Sequence, residues 1–193
     1  MSIWFIRCNG ETAHNQPGTS RYVTDEPPRW PDREFNYHDK CLEDGFARYG
    51  LPATGDLREP GWRTRVRSAY GSFFQPHQER YLGQFAAINS GDLILLPAYT
   101  RRYEVHLGIV VPPRQPARAG RWRTAYYYHY DIQNRDWFDC AHRVDVDWAT
   151  RPDGRPMVYD ISEIGGTRLR AFGEVKSARD KVLRLARAAD LIR

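Results

Sequence analysis

Two short stretches combine side chains that can hold a polyanion with side chains that can stack on a flat ring. REPGWRTRVR (58–67) sets Arg58, Arg63, Arg65 and Arg67 around Trp62, and PPRQPARAGRWR (112–123) sets Arg114, Arg118, Arg121 and Arg123 around Trp122. A guanidinium presents a planar fork of donors to phosphate oxygens or base edges, and an aromatic ring presents a face on which a base can lie. Arg101-Arg102 add a third basic step directly after LILLPAYT (93–100). The expected phosphate contacts are therefore Arg63, Arg65, Arg67, Arg101, Arg102, Arg121 and Arg123. The competing reading of each stretch is a solvated loop.

Groups suited to covalent or metal chemistry are sparser. The three cysteines, Cys8, Cys41 and Cys140, are odd in number, far apart and without a CxxC pair, which argues against a disulfide framework. A zinc site drawn from Cys8, Cys41, Cys140 and His142 would need Cys140-Ala-His142, which lacks the usual ligand spacing. His38-x-x-Cys41 and Asp136/Asp139/His142 are the remaining constellations. The second could serve a metal-dependent nuclease, but the strand placement and the lysine that such sites use are missing. No Gly-rich phosphate loop or nucleophile elbow is present. The expectation is a non-catalytic protein with no metal and no cofactor.

The charge balance agrees with an anionic partner. Net charge is +5, and 26 of the 29 basic residues are Arg, leaving only Lys40, Lys176 and Lys181. An Arg-rich, GC-biased genome would give the same bias, so where the arginines cluster carries more than their number. No run reaches the ~18 apolar residues of a membrane span, and MSIWFIRCNG lacks the basic and long apolar regions of a signal peptide. A cytoplasmic location is expected, without membrane contact.

The elements that must position these groups are mostly strands. SIWFIRC (2–8), GFARYG (45–50), DLILLP (92–97), YEVHLGIVVP (103–112), RTAYYYHYDI (123–132) and HRVDVDWA (142–149) read as strands from their apolar runs or alternation. VYDISE and TRLRAFGEV add shorter pieces. HQERYLGQFAAI (77–88) spaces Tyr81, Phe85 and Ile88 for one helix face. SARDKVLRLARAADLIR (177–193) reads as a helix with Ser177 as its cap. Residues 11–40 are polar and Pro-rich and read as a long loop with at most one helical turn. The chain suits an α+β fold, a small mixed β-barrel of five or six strands with helices packed outside and a C-terminal helix.

The order of four blocks resembles the PUA-like superfamily, nearest its EVE and YTH branch and the N-terminal domains of some modification-dependent restriction endonucleases. The blocks are Trp4-Phe5-Ile6-Arg7 with Cys8-Asn9-Gly10, GFARYGLPATGDL (45–57), FAAINSGDLILLP (85–97) with HLGIVV (106–111), and RVDVDW (143–148). They cover about residues 1–150, on which basis the PUA-like domain is drawn as 1–175 and the C-terminal helix as 176–193. Tyr49 stands where relatives commonly carry Trp. Both GDL triplets read as scaffold, Gly turning the backbone and Asp capping the turn.

The resemblance implies a base pocket built from Arg7, Cys8 and Asn9, from Phe46, Arg48 and Tyr49, and from Ala98, Tyr99 and Thr100. It implies a reader that flips a modified base out of DNA, with a separate nuclease subunit as a further expected partner. A flipped base needs stacking faces and polar groups on its edge; Phe46, Tyr49 and Tyr99 could supply the former and Asn9 the latter. Strand alternation sends Phe46 and Tyr49 to opposite faces unless a bulge intervenes. The alternatives are a metal-dependent nuclease, an RNA-binding PUA-like protein, or an interaction module using the apolar stripe of 177–193.

Overall fold

The computed structural model describes residues 1–6, 37–49, 55–70, 76–98, 104–115, 124–129, 142–161 and 172–193. The elements are β1 (Ile3–Ile6), α1 (Tyr37–Glu43), β2 (Phe46–Arg48), α2 (Trp62–Tyr70), α3 (Pro76–Ala86), β3 (Leu93–Pro97), β4 (Glu104–Val110), β5 (Tyr126–Tyr128), β6 (His142–Trp148), β7 (Tyr159–Asp160), β8 (Phe172–Glu174) and α4 (Arg179–Ala188). The strand path is β2-β6-β4-β3-β1-β8, with β5 added on β6 and β7 on β4. β1 and β3 run parallel, and every other pairing is antiparallel. The architecture is α+β, a curled mixed sheet forming a half-barrel with four helices among the described residues.

The curl has an identifiable filling. Trp4 and Ile6 of β1, Ile94 and Leu96 of β3, and Val144, Val146 and Trp148 of β6 face an inner core. Helix α3 inserts Tyr81, Leu82 and Phe85 into it, all buried. The two ends of the strand path meet there, because the Tyr49 ring just after β2 lies 5.4 Å from the Phe172 ring of β8. The opposite face carries Ile3, Phe5, Leu93, Leu95, Val105 and Leu107, and Val182 and Ala186 of α4 cover it. Both faces of β1 and β3 are thus buried, which is why IWFI and LILLP are continuous apolar runs. The apolar stripe of the terminal helix is taken up by its own sheet.

The second GDL is a junction. Gly91 adopts φ +88°, open to glycine without strain. The Asp92 carboxylate accepts the Ser2 backbone N–H at 2.7 Å, the Trp4 indole N–H at 3.0 Å and the Asn89 backbone N–H at 3.1 Å. It therefore ties the start of β1 to the turn between α3 and β3. In the first GDL, Asp56 accepts the Arg58 backbone N–H and its guanidinium.

Three expectations change. Residues 62–70, read as an Arg/Trp stretch, form helix α2, which buries Val66 fully and Trp62 partly. Two inward apolar positions make too narrow a stripe for periodicity to reveal. Residues 37–43 also form a helix, α1, at the end of the expected long loop. Ser177 does not cap α4: the cap is Ala178, in the left-handed region at φ 59° with no side-chain hydrogen bond, because the chain turns there on leaving β8.

Candidate nucleic-acid interface

Helices α2 and α3 lie side by side and leave an open groove of about 850 Å³, lined by Arg63, Arg67, Glu79, Arg80, Gly83 and Gln84 among others. Arg63 and Arg67 are four residues apart, one turn of helix, and so project from the same face. Glu79 of α3 meets both: its carboxylate lies 2.9 Å from Arg63 Nε and accepts Arg67 Nε and Nη2 at 2.9 and 2.6 Å. The two arginine side chains stay 62% and 65% exposed while Glu79 is 18% exposed. Arg63 also lies over the Trp62 ring at 4.7 Å, and Arg80 over the Tyr81 ring at 5.3 Å. Trp62 in turn packs beside Gly83, where a Cβ would stand 3.7 Å from the indole. Two guanidiniums meet the one carboxylate and a third, Arg80, lines the same groove, so the groove carries an excess of positive charge beside an aromatic ring.

Arg58, Arg65 and Arg114, the other described arginines of these stretches, hold the scaffold. Arg65 points away from the groove, two residues round the helix, and donates to the carbonyls of Pro60 and Asp56. Arg58 pairs with Asp56 at 2.6 Å, donates to the Tyr126 carbonyl and lies over the Tyr126 ring. Burial raises the Asp56 pKa, but the hydrogen bonds and charge of Arg58 outweigh it and leave the carboxyl below its ordinary value. Tyr126 Oη accepts the Leu57 N–H and shares a hydrogen bond with His142 Nδ1 at 2.9 Å. Burial pushes the Tyr126 phenol well above its usual range, so it stays neutral. Arg114 binds the Asp147 carboxylate and the carbonyls of Gly45 and Val146, while its own N–H binds Asp145. Arg101, Arg102, Arg121 and Arg123 lie outside the described residues.

The expected base pocket is described in part. Arg7, Cys8, Asn9, Tyr99 and Thr100 lie outside the described residues. Tyr49 sits at 9% exposure, its ring 5.9 Å from Phe85 and 6.4 Å from Tyr81 as well as against Phe172. Phe172 pairs with Ile6, the last described residue of β1, and β1 runs parallel to β3 with Phe5 opposite Leu95. Tyr49, the end of β1 and the strand leading to buried Ala98 are therefore neighbours. Phe46 and Arg48 lie within β2. They face the side shared with Asp145 and Arg143, their partners on β6, and the Arg143 guanidinium lies 4.5 Å over the Phe46 ring. Both are buried, at 2% and 3% exposure. Phe46 and Tyr49 belong to one buried cluster, with the Phe46 ring covered by the Arg143 guanidinium.

Glu79 and Arg80 do not stand out in the sequence. Arg63, Arg67 and Glu79 carry a signal as neighbours across a helix pair, but only once α2 is recognised as a helix. Among the described residues no group of three or more His, Cys, Asp or Glu side chains could hold a metal ion. Asp136, Asp139, Cys8 and Cys140 lie outside them. Cys41 is buried in α1, and its carbonyl accepts the Trp148 indole N–H at 2.9 Å. No helix among the described residues is long and apolar enough to cross a membrane. Comparison with protein-family models, with curated proteins and with solved structures gives no match.

Proposed function

We propose that the protein binds nucleic acid, with the α2–α3 groove taking the phosphate backbone. The observation that carries this reading is the pair Arg63 and Arg67, held along an open groove with Arg80 opposite and Trp62 beside them. Guanidiniums in this setting suit phosphate oxygens, and an adjacent indole suits a base. A DNA reader of a modified base, on a PUA-like half-barrel, is the form of this reading that the sequence resemblance favours. Its support is that Tyr49, the end of β1 and the end of β3 are neighbours, and that α3 joins them to the groove. Tyr81 and Phe85 of α3 touch Tyr49, while Glu79, Arg80, Gly83 and Gln84 of the same helix line the groove. The role is binding rather than catalysis.

The test is a titration of labelled single- and double-stranded oligonucleotides across a salt series. Affinity falls steeply with salt, and replacing Arg63 and Arg67 together by Ala lowers the slope of log K against log salt by about 2, one for each phosphate that is no longer neutralised. A panel of DNA oligonucleotides with and without base modifications reads out the base preference. Binding that ignores salt, or a double variant that binds like the wild type, refutes the groove assignment.

A further inference from the structure

We propose that Glu79 is a built-in competitor in the α2–α3 groove, which makes the groove selective for chains of phosphates over isolated anions. The proposal rests on the nucleic-acid reading above. Arg63 and Arg67 already share an anion, since the Glu79 carboxylate lies 2.9 Å from Arg63 Nε and takes two bonds from Arg67. Glu79 is the least exposed of the three side chains and is tethered to α3, so its effective concentration at the two guanidiniums is high. A single anion must displace that carboxylate to gain both arginines. A phosphate chain need not. It meets the solvent-facing edges of Arg63 and Arg67 and reaches Arg80 across the groove, and several weak contacts on one chain reinforce one another.

The carboxylate also opposes every polyanion that enters. It lowers the charge of the three guanidiniums from +3 to +2 and lies within a few ångströms of where phosphates would sit. An orienting role would favour binding, a competing role would weaken it. The exposure of both arginines decides between them, because ion pairs this open fix side chains only weakly.

Glu79→Gln keeps the shape and the hydrogen-bonding oxygen and removes the charge. The variant, shown by circular dichroism and thermal melting to be folded, is expected to bind a labelled oligonucleotide about fivefold more tightly at low salt. It is also expected to become sensitive to inorganic phosphate, against a chloride control of equal ionic strength, where the wild type is not. Where the wild type binds the oligonucleotide, unchanged or weaker binding by the variant overturns the proposal and makes Glu79 an orienting residue. Inorganic polyphosphate separates the two claims. If neither protein binds oligonucleotide but the variant binds polyphosphate more tightly, the nucleic-acid reading fails and the competitor role stands. Equal polyphosphate binding by the two proteins, or none by either, overturns the competitor role.

Discussion

At the scale of single residues, the molecule uses polar side chains chiefly to join elements that are distant in sequence. Asp92 joins β1 to the α3–β3 turn, Arg114 joins its loop to β6 and to Gly45 just before β2, and the Asp56–Arg58–Tyr126–His142 chain joins the turn before α2 to β5 and β6. Tyr49 shows how such burial bears on function. Its ring is enclosed by Tyr81, Phe85 and Phe172, so it is a core residue as well as a neighbour of the candidate pocket. Tyr49→Ala should therefore cost about 3–5 kcal/mol of stability, the range for removing a buried aromatic ring, measured by urea denaturation. Tyr49→Phe preserves the packing, and its base selectivity is the measurement that reports on the pocket. An Ala variant as stable as the wild type would mean that the ring is not packed in the core.

At the scale of elements, β4 and β6 approach closely at one glycine. Gly108 lies opposite Trp148, and a Cβ there would fall 2.4 Å from Val146 Cγ1, 2.7 Å from Trp148 Cε3 and 3.0 Å from the Asp147 carbonyl. The strand backbone is ordinary at this position, so the demand for glycine comes from contact alone. Gly108→Ala is expected to destabilise the fold by about 1–3 kcal/mol through overpacking, seen as a lower denaturation midpoint with an unchanged m-value. A neutral result would show that β6 can retreat from β4. A Gly inside an apolar strand is a sign of close packing or a bulge that the sequence displays. The partner is hidden from it, because Val146 and Trp148 are nearly forty residues away.

At the scale of the whole molecule, one titration links the fold to pH. His106 of β4 is buried, donates from Nδ1 to the Met157 carbonyl at 2.9 Å, and lies 5.1 Å from the buried His38 ring of α1. Burial pushes its pKa below 6.5, more than the Met157 hydrogen bond raises it, and a charge on His38 pushes the same way. Below about pH 6.5 the unfolded chain takes up a proton that the folded one refuses, so this contribution is present above that pH and is lost as pH falls through the folded pKa. His106→Gln is expected to flatten the fall in melting temperature between pH 7.5 and pH 5, and parallel wild-type and variant curves would exclude His106 as a source. The features legible along the chain are those set by near neighbours: β1, β3, β4, β6, α3 and α4, the two glycine turns, and the concentration of arginine beside tryptophan. Periodicity and turn chemistry are local, so one chain segment suffices to show them. Which arginines face outward is settled by packing. Arg63 and Arg67 reach the groove, whereas Arg58, Arg65 and Arg114 fold back on carbonyls and carboxylates of the scaffold, and Phe46 lies beneath Arg143. A guanidinium looks the same in sequence whether it meets solvent or a backbone carbonyl, and the difference arises only when α2 and α3 take their places against each other and the sheet.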